Sequence, residues 1–217
     1  MIQIEYTKVE GWEAALRGMR NPMNSWDRAD SQFSLEGMSI GENDHTLAKK
    51  LADAGQVHGK FLRMINVTCD ITAPMYWYAE FDTYKVGVVR NSCSKMYKLL
   101  AKPFAVEDFS HEKIAWSCTG MTVFTDLLTY LNSLRSEVIK ESDPEIKKRL
   151  WYQILQLLPE SYNQRSTVQM NYAVLKNIYR YRRDHKLSEW QDFCDWIENL
   201  PYSELITGGN DDHRDQR

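Results

Sequence analysis

The segment Ile71-Thr72-Ala73-Pro74 constrains the fold of this chain more than any other. From Phe61 to Ile71 the β-branched and apolar residues Ile65, Val67, Thr68 and Ile71 predict a buried strand, which Ala73-Pro74 ends. Proline fixes φ and lacks an N–H, so Pro74 suits the first turn of a helix, predicted here from Met75 to about Thr83. A buried strand that gives way at once to a helix asks for a sheet with helices packed on it.

The rest of the chain supplies both. Ile2, Ile4 and Tyr6 alternate with polar residues, as in an edge or half-buried strand. A helix is predicted from Gly11 to Met19, stopped by Asn21-Pro22, and another from about Asp44 to Ala54, capped by Asn43 and ended by Gly55. Lys85 to Val89 reads as a short strand or extended turn. In the second half, Val123, Leu127, Leu131 and Leu134 share one face of a helix over Thr122–Lys140. Ser142-Asp143-Pro144 opens a helix to Leu158, a further helix is expected over Ser166–Arg183, and Ser188 caps one that runs to Asn199. Few strands early and long helices late make an α+β (mixed α/β) chain, a small sheet packed with several helices. Residues 1–206 read as a single domain and 207–217 as a disordered polar tail.

At 217 residues, 43% of them hydrophobic, the chain can bury one sizeable core. Its 27 basic and 30 acidic side chains give a formal charge of -3, which does not describe a surface built for polyanions. Nucleic-acid binding has only the local runs Lys147-Lys148-Arg149 and Arg180 to Lys186 behind it. No run of about 18 apolar residues occurs, and Met1-Ile2-Gln3-Ile4-Glu5 lacks a basic segment followed by an apolar one, so a soluble, cytoplasmic protein is expected. Cys69, Cys93, Cys118 and Cys194 lack metal-ligand spacing, so neither a zinc site nor a disulfide framework is predicted. Cys93 has no histidine close in sequence to activate it, and Glu80 and Asp82, two apart on a helix, face different ways. The sequence contains neither Gly-x-Gly-x-x-Gly nor Gly-Lys-Ser/Thr.

Four blocks resemble the flavin-dependent thymidylate synthases, in the order that family has them. The first is Gly11-Trp12-Glu13 through Asn21-Pro22 and Trp26-Asp27-Arg28-Ala29-Asp30-Ser31; the second is His58-Gly59-Lys60-Phe61. The third runs from Ile71 through Thr83-Tyr84-Lys85 to Asn91-Ser92-Cys93-Ser94-Lys95-Met96-Tyr97. The fourth is Leu158-Pro159 followed by Asn171, Asn177 and Arg182, with the family's spacing and no gap. The resemblance implies a homotetramer that binds FAD and a nucleotide. In it Arg182 would polarise a pyrimidine ring, Ser31, His58, Asn171 and Asn177 would line the flavin, and Glu80, Tyr84, Lys85, Asn91 and Ser94 would meet the substrate. A guanidinium suits that role because it can pair with a ring carbonyl and a ring nitrogen together. On a helix covering Ser166–Arg183, Asn171 and Arg182 would share a face, with Asn177 about 120° away.

The departures are as specific as the matches. Thr83-Tyr84-Lys85 stands where the family has Arg-His-Arg, Ser92 where it has glutamate, Glu80 where it has glutamine, and Met96, Leu155 and Ala173 where it has arginines. Each charged hydrogen bond to phosphate is worth about 1.5–3 kcal/mol, so the parent nucleotide would be held far more weakly. Two readings remain open: flavin-dependent methylation or reduction of a pyrimidine nucleotide or related ring, and a non-catalytic protein that binds a nucleotide or a partner on the same scaffold.

Overall fold

A computed structural model describes residues 2–34, 37–94 and 98–208. Strand β1 (Gln3–Glu10) is followed by α1 (Trp12–Arg20), the short hairpin β2 (Gln32–Ser34) and β3 (Gly37–Ser39), and α2 (Glu42–Asp53). Then come β4 (Asn66–Pro74), α3 (Met75–Phe81) and β5 (Val89–Ser92). The second half holds α4 (Cys118–Lys140), α5 (Pro144–Leu157), β6 (Asn163–Asn171), α6 (Tyr172–Arg182), α7 (Ser188–Glu198) and α8 (Glu204–Thr207). A four-stranded sheet has the order β1-β4-β6-β5, and β2 pairs antiparallel with β3, Phe33 opposite Met38. The mixed α/β class expected from the sequence is the class observed.

The junction at Pro74 forms as predicted. Pro74 ends β4 and stands just before the first turn of α3 with φ of -69°, a value its ring already imposes. Along β4 every second residue is buried, from Val67 through Cys69 and Ile71 to Ala73. The strand starts later than expected, because Gly59–Met64 is a 3-10 turn. The amides of Met75 and Tyr76 donate to the carbonyls of Tyr162 and Glu160, so the first turn of α3 is satisfied by backbone.

The predicted helix over Ser166–Arg183 is corrected: its first part is β6 and only Tyr172–Arg182 is helical. In β6 the buried positions are Gln164, Ser166, Val168 and Met170, and the residues between them are exposed. A period-2 strand is there, but half of its inward set is polar and conceals it. Asn171 caps α6, its Oδ1 accepting from the Val174 amide at 3.0 Å. It therefore does not sit in a helix interior, where it would cost propensity.

Backbone contacts divide the chain into two compact units. One is built from Ile71–Asp82 and Asn91–Ser166. Its core joins Phe104, Phe109, Phe124, Leu128, Leu131, Leu134 and Val138 to Ile154 of α5. Asp143 caps α5 through the amides of Glu145 and Ile146, with Pro144 at the first helical position as expected.

The other unit holds Ile4–Asp70, Thr83–Arg90 and the chain from Thr167. Within it Tyr172, Leu175 and Ile178 turn one buried face of α6 inward, and Trp190, Phe193 and Ile197 do so for α7. Gly11, at φ +93°, leads into α1 where a Cβ would collide with the Met64 carbonyl, so no other residue fits there. Thr207 closes α8; the remainder of the predicted tail, 209–217, lies outside the described residues.

Candidate functional site

The larger unit gathers most of the residues singled out in the sequence. Arg182, half-buried at the end of α6, donates from Nε to the Tyr84 hydroxyl at 2.9 Å. Its guanidinium carbon lies 4.9 Å from the ring centre of the fully buried Trp190 and 5.6 Å from that of Tyr84. The two rings meet edge to face at 6.0 Å, and His185 stands edge-on to Trp190 at 6.4 Å. A cation beside an aromatic ring and held by a hydroxyl gains cation–π attraction and keeps few of its rotamers. Trp190 was missed in the sequence because it reads only as an apolar residue of α7; its position three past Leu187 and eight past Arg182 carries no signal.

Lys85 follows Tyr84 and is exposed. The loop then turns at Gly87, φ +81°, whose missing side chain makes room for Asn171: a Cβ there would lie 2.9 Å from Asn171 Nδ2. The structure thus brings Tyr84, Arg182 and Trp190 together and sets Asn171 against the same loop. Asn177 is exposed on α6, about 140° around the helix from Arg182. His58, exposed, precedes the 3-10 turn Gly59–Met64.

Ser31 belongs to a separate cluster in this unit. Its hydroxyl donates to Asp44 Oδ2 at 2.6 Å and accepts from the Gly41 amide at 3.1 Å. The amides of Asp30 and Ser31 donate to the same carboxylate oxygen, and Arg20 Nε donates to Oδ1 at 2.6 Å. Arg20 also donates to the carbonyls of Ser25 and Arg28. Both charged side chains are almost wholly buried. Burial pushes the Asp44 carboxyl up, but the hydrogen bonds from Ser31, Arg20 and the two amides outweigh it and hold the group below the usual carboxylate range.

In the other unit Glu80 is half-buried on α3, Asn91 is exposed on β5, and Ser94 is half-buried, its carbonyl accepting from the Lys98 amide. Met96 and Tyr97 lie outside the described residues. Here a cavity of about 210 Å³ is lined by Met75, Tyr78, Ala79 and Asp82 from α3 and its end, and by Leu155, Leu158, Pro159 and Glu160. Tyr78 sends its hydroxyl to the Ile71 carbonyl at 2.7 Å.

Burial pushes the thiols of Cys69 and Cys194 up to about 12, which leaves them protonated and unreactive at neutral pH. Among the described residues no group of His, Cys, Asp and Glu could hold a metal ion, and no helix is long and apolar enough to cross a membrane.

No family profile matches the chain, and no curated protein does. Solved structures do. Thymidylate synthase X (ThyX) from Helicobacter pylori, crystallised with FAD and dUMP, is similar with a TM-score of 0.67 at 17% identity, over 94% of this chain and 96% of that one. A second structure of the flavin-dependent enzyme from Helicobacter pylori, also with FAD and dUMP, gives 0.65 at 18% identity over the same shares, 94% and 96%. The fold is that of ThyX. The UMP/dUMP methylase PolB from Streptomyces cacaoi, bound with 5-Br dUMP, shares it with a TM-score of 0.62 at 14% identity and 95% coverage of both chains. At such identities the ThyX likeness speaks for the fold, and the site has to be judged on its own side chains.

Proposed function

We propose that this chain binds a pyrimidine nucleotide or a related flat ring on the ThyX scaffold, with Arg182 orienting the ring. The observation that carries the reading is the guanidinium held by Tyr84 and Trp190 in the larger unit. The Trp190 ring and the Tyr84 hydroxyl on Nε restrict the rotamers of the fork before a ligand arrives, which lowers the ordering cost of binding. Exposed Lys85, next to Tyr84, supplies a positive charge for an anionic substituent. The neighbours crystallised with dUMP or 5-Br dUMP support the ligand class.

The second reading adds a flavin and makes the protein an enzyme that methylates or reduces the bound ring. Two of the neighbours, crystallised with FAD, favour it. The four residues that the resemblance gives to the flavin fit it only in part. Ser31 has its hydroxyl committed to Asp44 and Gly41, and Asn171 has its Oδ1 committed to the Val174 amide, whereas His58 and Asn177 are exposed. The homotetramer and a cytoplasmic location belong to this reading as well.

Thermal denaturation of the purified chain with dUMP, with FAD and with both separates the readings, because a ligand of the native state raises the melting temperature. A rise with dUMP that is lost in Arg182→Met and reduced in Tyr84→Phe is expected. A rise with FAD, with bound flavin in the visible spectrum, would add the enzyme reading. No rise with dUMP at about 100 times a micromolar Kd, where about 2.7 kcal/mol is due, would refute nucleotide binding.

A further inference from the structure

We infer that the exposed strip of α4 in the smaller unit is the contact face for a second copy of this chain, laid antiparallel along it. The inference uses none of the residues given to the nucleotide or the flavin, and it stands without them. α4 turns Phe124, Leu128, Leu131, Leu134 and Val138 inward. Beside them runs a second row, Gly120, Val123, Leu127, Tyr130, Leu134 and Glu137, spaced alternately by three and four residues. That spacing makes a seam of the coiled-coil kind, the pattern of a helix that lies along another helix. Leu127 packs in part against the unit's core, whereas Val123 is 63% exposed and Tyr130 49%. Trp116, just ahead of the helix and 82% exposed, prolongs the strip.

The strip is complementary to itself, and this selects its occupant. When two copies lie antiparallel with the height of Thr125 at the centre, Val123 of each meets Leu127 of the other. Tyr130 of each then lies over Gly120 of the other, where no side chain stands in its way. The same register brings Lys113, ahead of the strip, level with Glu137 near its far end, and symmetry makes the pair twice. Both residues are exposed, and Lys113 Nζ already stands 4.8 Å from the Trp116 ring centre at that end. A parallel pair would instead set Lys113 against Lys113 and Glu137 against Glu137. From Gly120 to Leu134 the seam carries no charge, and Ser133, beside Tyr130, turns its hydroxyl to the Tyr130 carbonyl, so closure leaves that donor satisfied.

Sedimentation velocity of the full chain across about 1–100 μM, the range of Kd that suits a contact of one helix face, tests the assignment. The wild type should associate, and Val123→Glu should remove an association step. Lys113→Glu and Glu137→Lys should each weaken association about tenfold, because two exposed pairs turn repulsive, and the two changes together should restore it. That rescue requires a second copy in the antiparallel register. A wild type that stays monomeric would leave the face to a different protein and overturn the assignment. Association unchanged in Val123→Glu, or single charge variants that the double variant does not rescue, with native circular dichroism in each, would overturn it as well.

Discussion

Asp44 is the residue on which the larger unit's polar interior turns. It answers Arg20, the Ser31 hydroxyl and two backbone amides, and Asp30 in turn accepts from the amides of Asn43 and Asp44. Asp44→Asn leaves the Arg20 guanidinium buried without its counter-charge, and removing one partner of a buried pair costs about 3–5 kcal/mol. Chemical denaturation should read that loss. The pH dependence has a definite sign. Because the folded carboxyl titrates below its unfolded value, its stabilisation is complete above the usual carboxylate range and disappears as pH falls through the lowered folded value. Between about pH 5 and pH 2 the wild-type midpoint should therefore drop more steeply than that of Asp44→Asn. Ser31 was legible as important, but its role was not. A serine three residues past Arg28 looks the same in sequence whether it meets a ligand or a buried aspartate thirteen positions away.

At the scale of elements, what could be read depended on whether the signal was local. Pro74 and Asp143-Pro144 mark their elements by backbone chemistry within a few residues, and each element formed; the stripe of α4 marked the helix but not all of its face, since Val123 is exposed and Phe124, Leu128 and Val138 are buried with Leu131 and Leu134. The β6–α6 junction failed because its decisive facts are not local. Gln164 is buried, and its amide donates to the carbonyl of Cys93, just past β5 and 71 positions earlier. Once Asn171 is seen as a cap, its mutation has a predictable size: Asn171→Ala should cost about 1 kcal/mol and Asn171→Asp very little, since aspartate also accepts from the Val174 amide. Gly87→Ala should be worse than its small change in volume suggests. It forces a side chain into positive φ and within 2.9 Å of the Asn171 amide nitrogen, and a loss above about 1 kcal/mol in urea unfolding is expected.

On the scale of the whole molecule, the fold was more legible than the site. Ordered blocks spread from Gly11 to Arg182 report a scaffold, because spacing between elements survives when individual ligands change. The cage around Arg182 needed Trp190 from α7 and Tyr84 from the loop after α3, residues 106 positions apart that nothing in the sequence links. The same three-dimensional view reassigns the basic run after α6. Arg183 is bound to Asp195 at 2.5 Å and lies 3.3 Å from Glu198, and Arg182 is held by Tyr84 and Trp190, so these cations face partners inside the chain. With a formal charge of -3 overall, little positive field is left for a polyanion. Fluorescence anisotropy with a single-stranded oligonucleotide at physiological salt should show a Kd weaker than about 100 μM, the loose end of non-specific binding. A micromolar Kd that weakens steeply with salt would mean that Lys147, Lys148 and Arg149, exposed on α5, form a nucleic-acid surface after all.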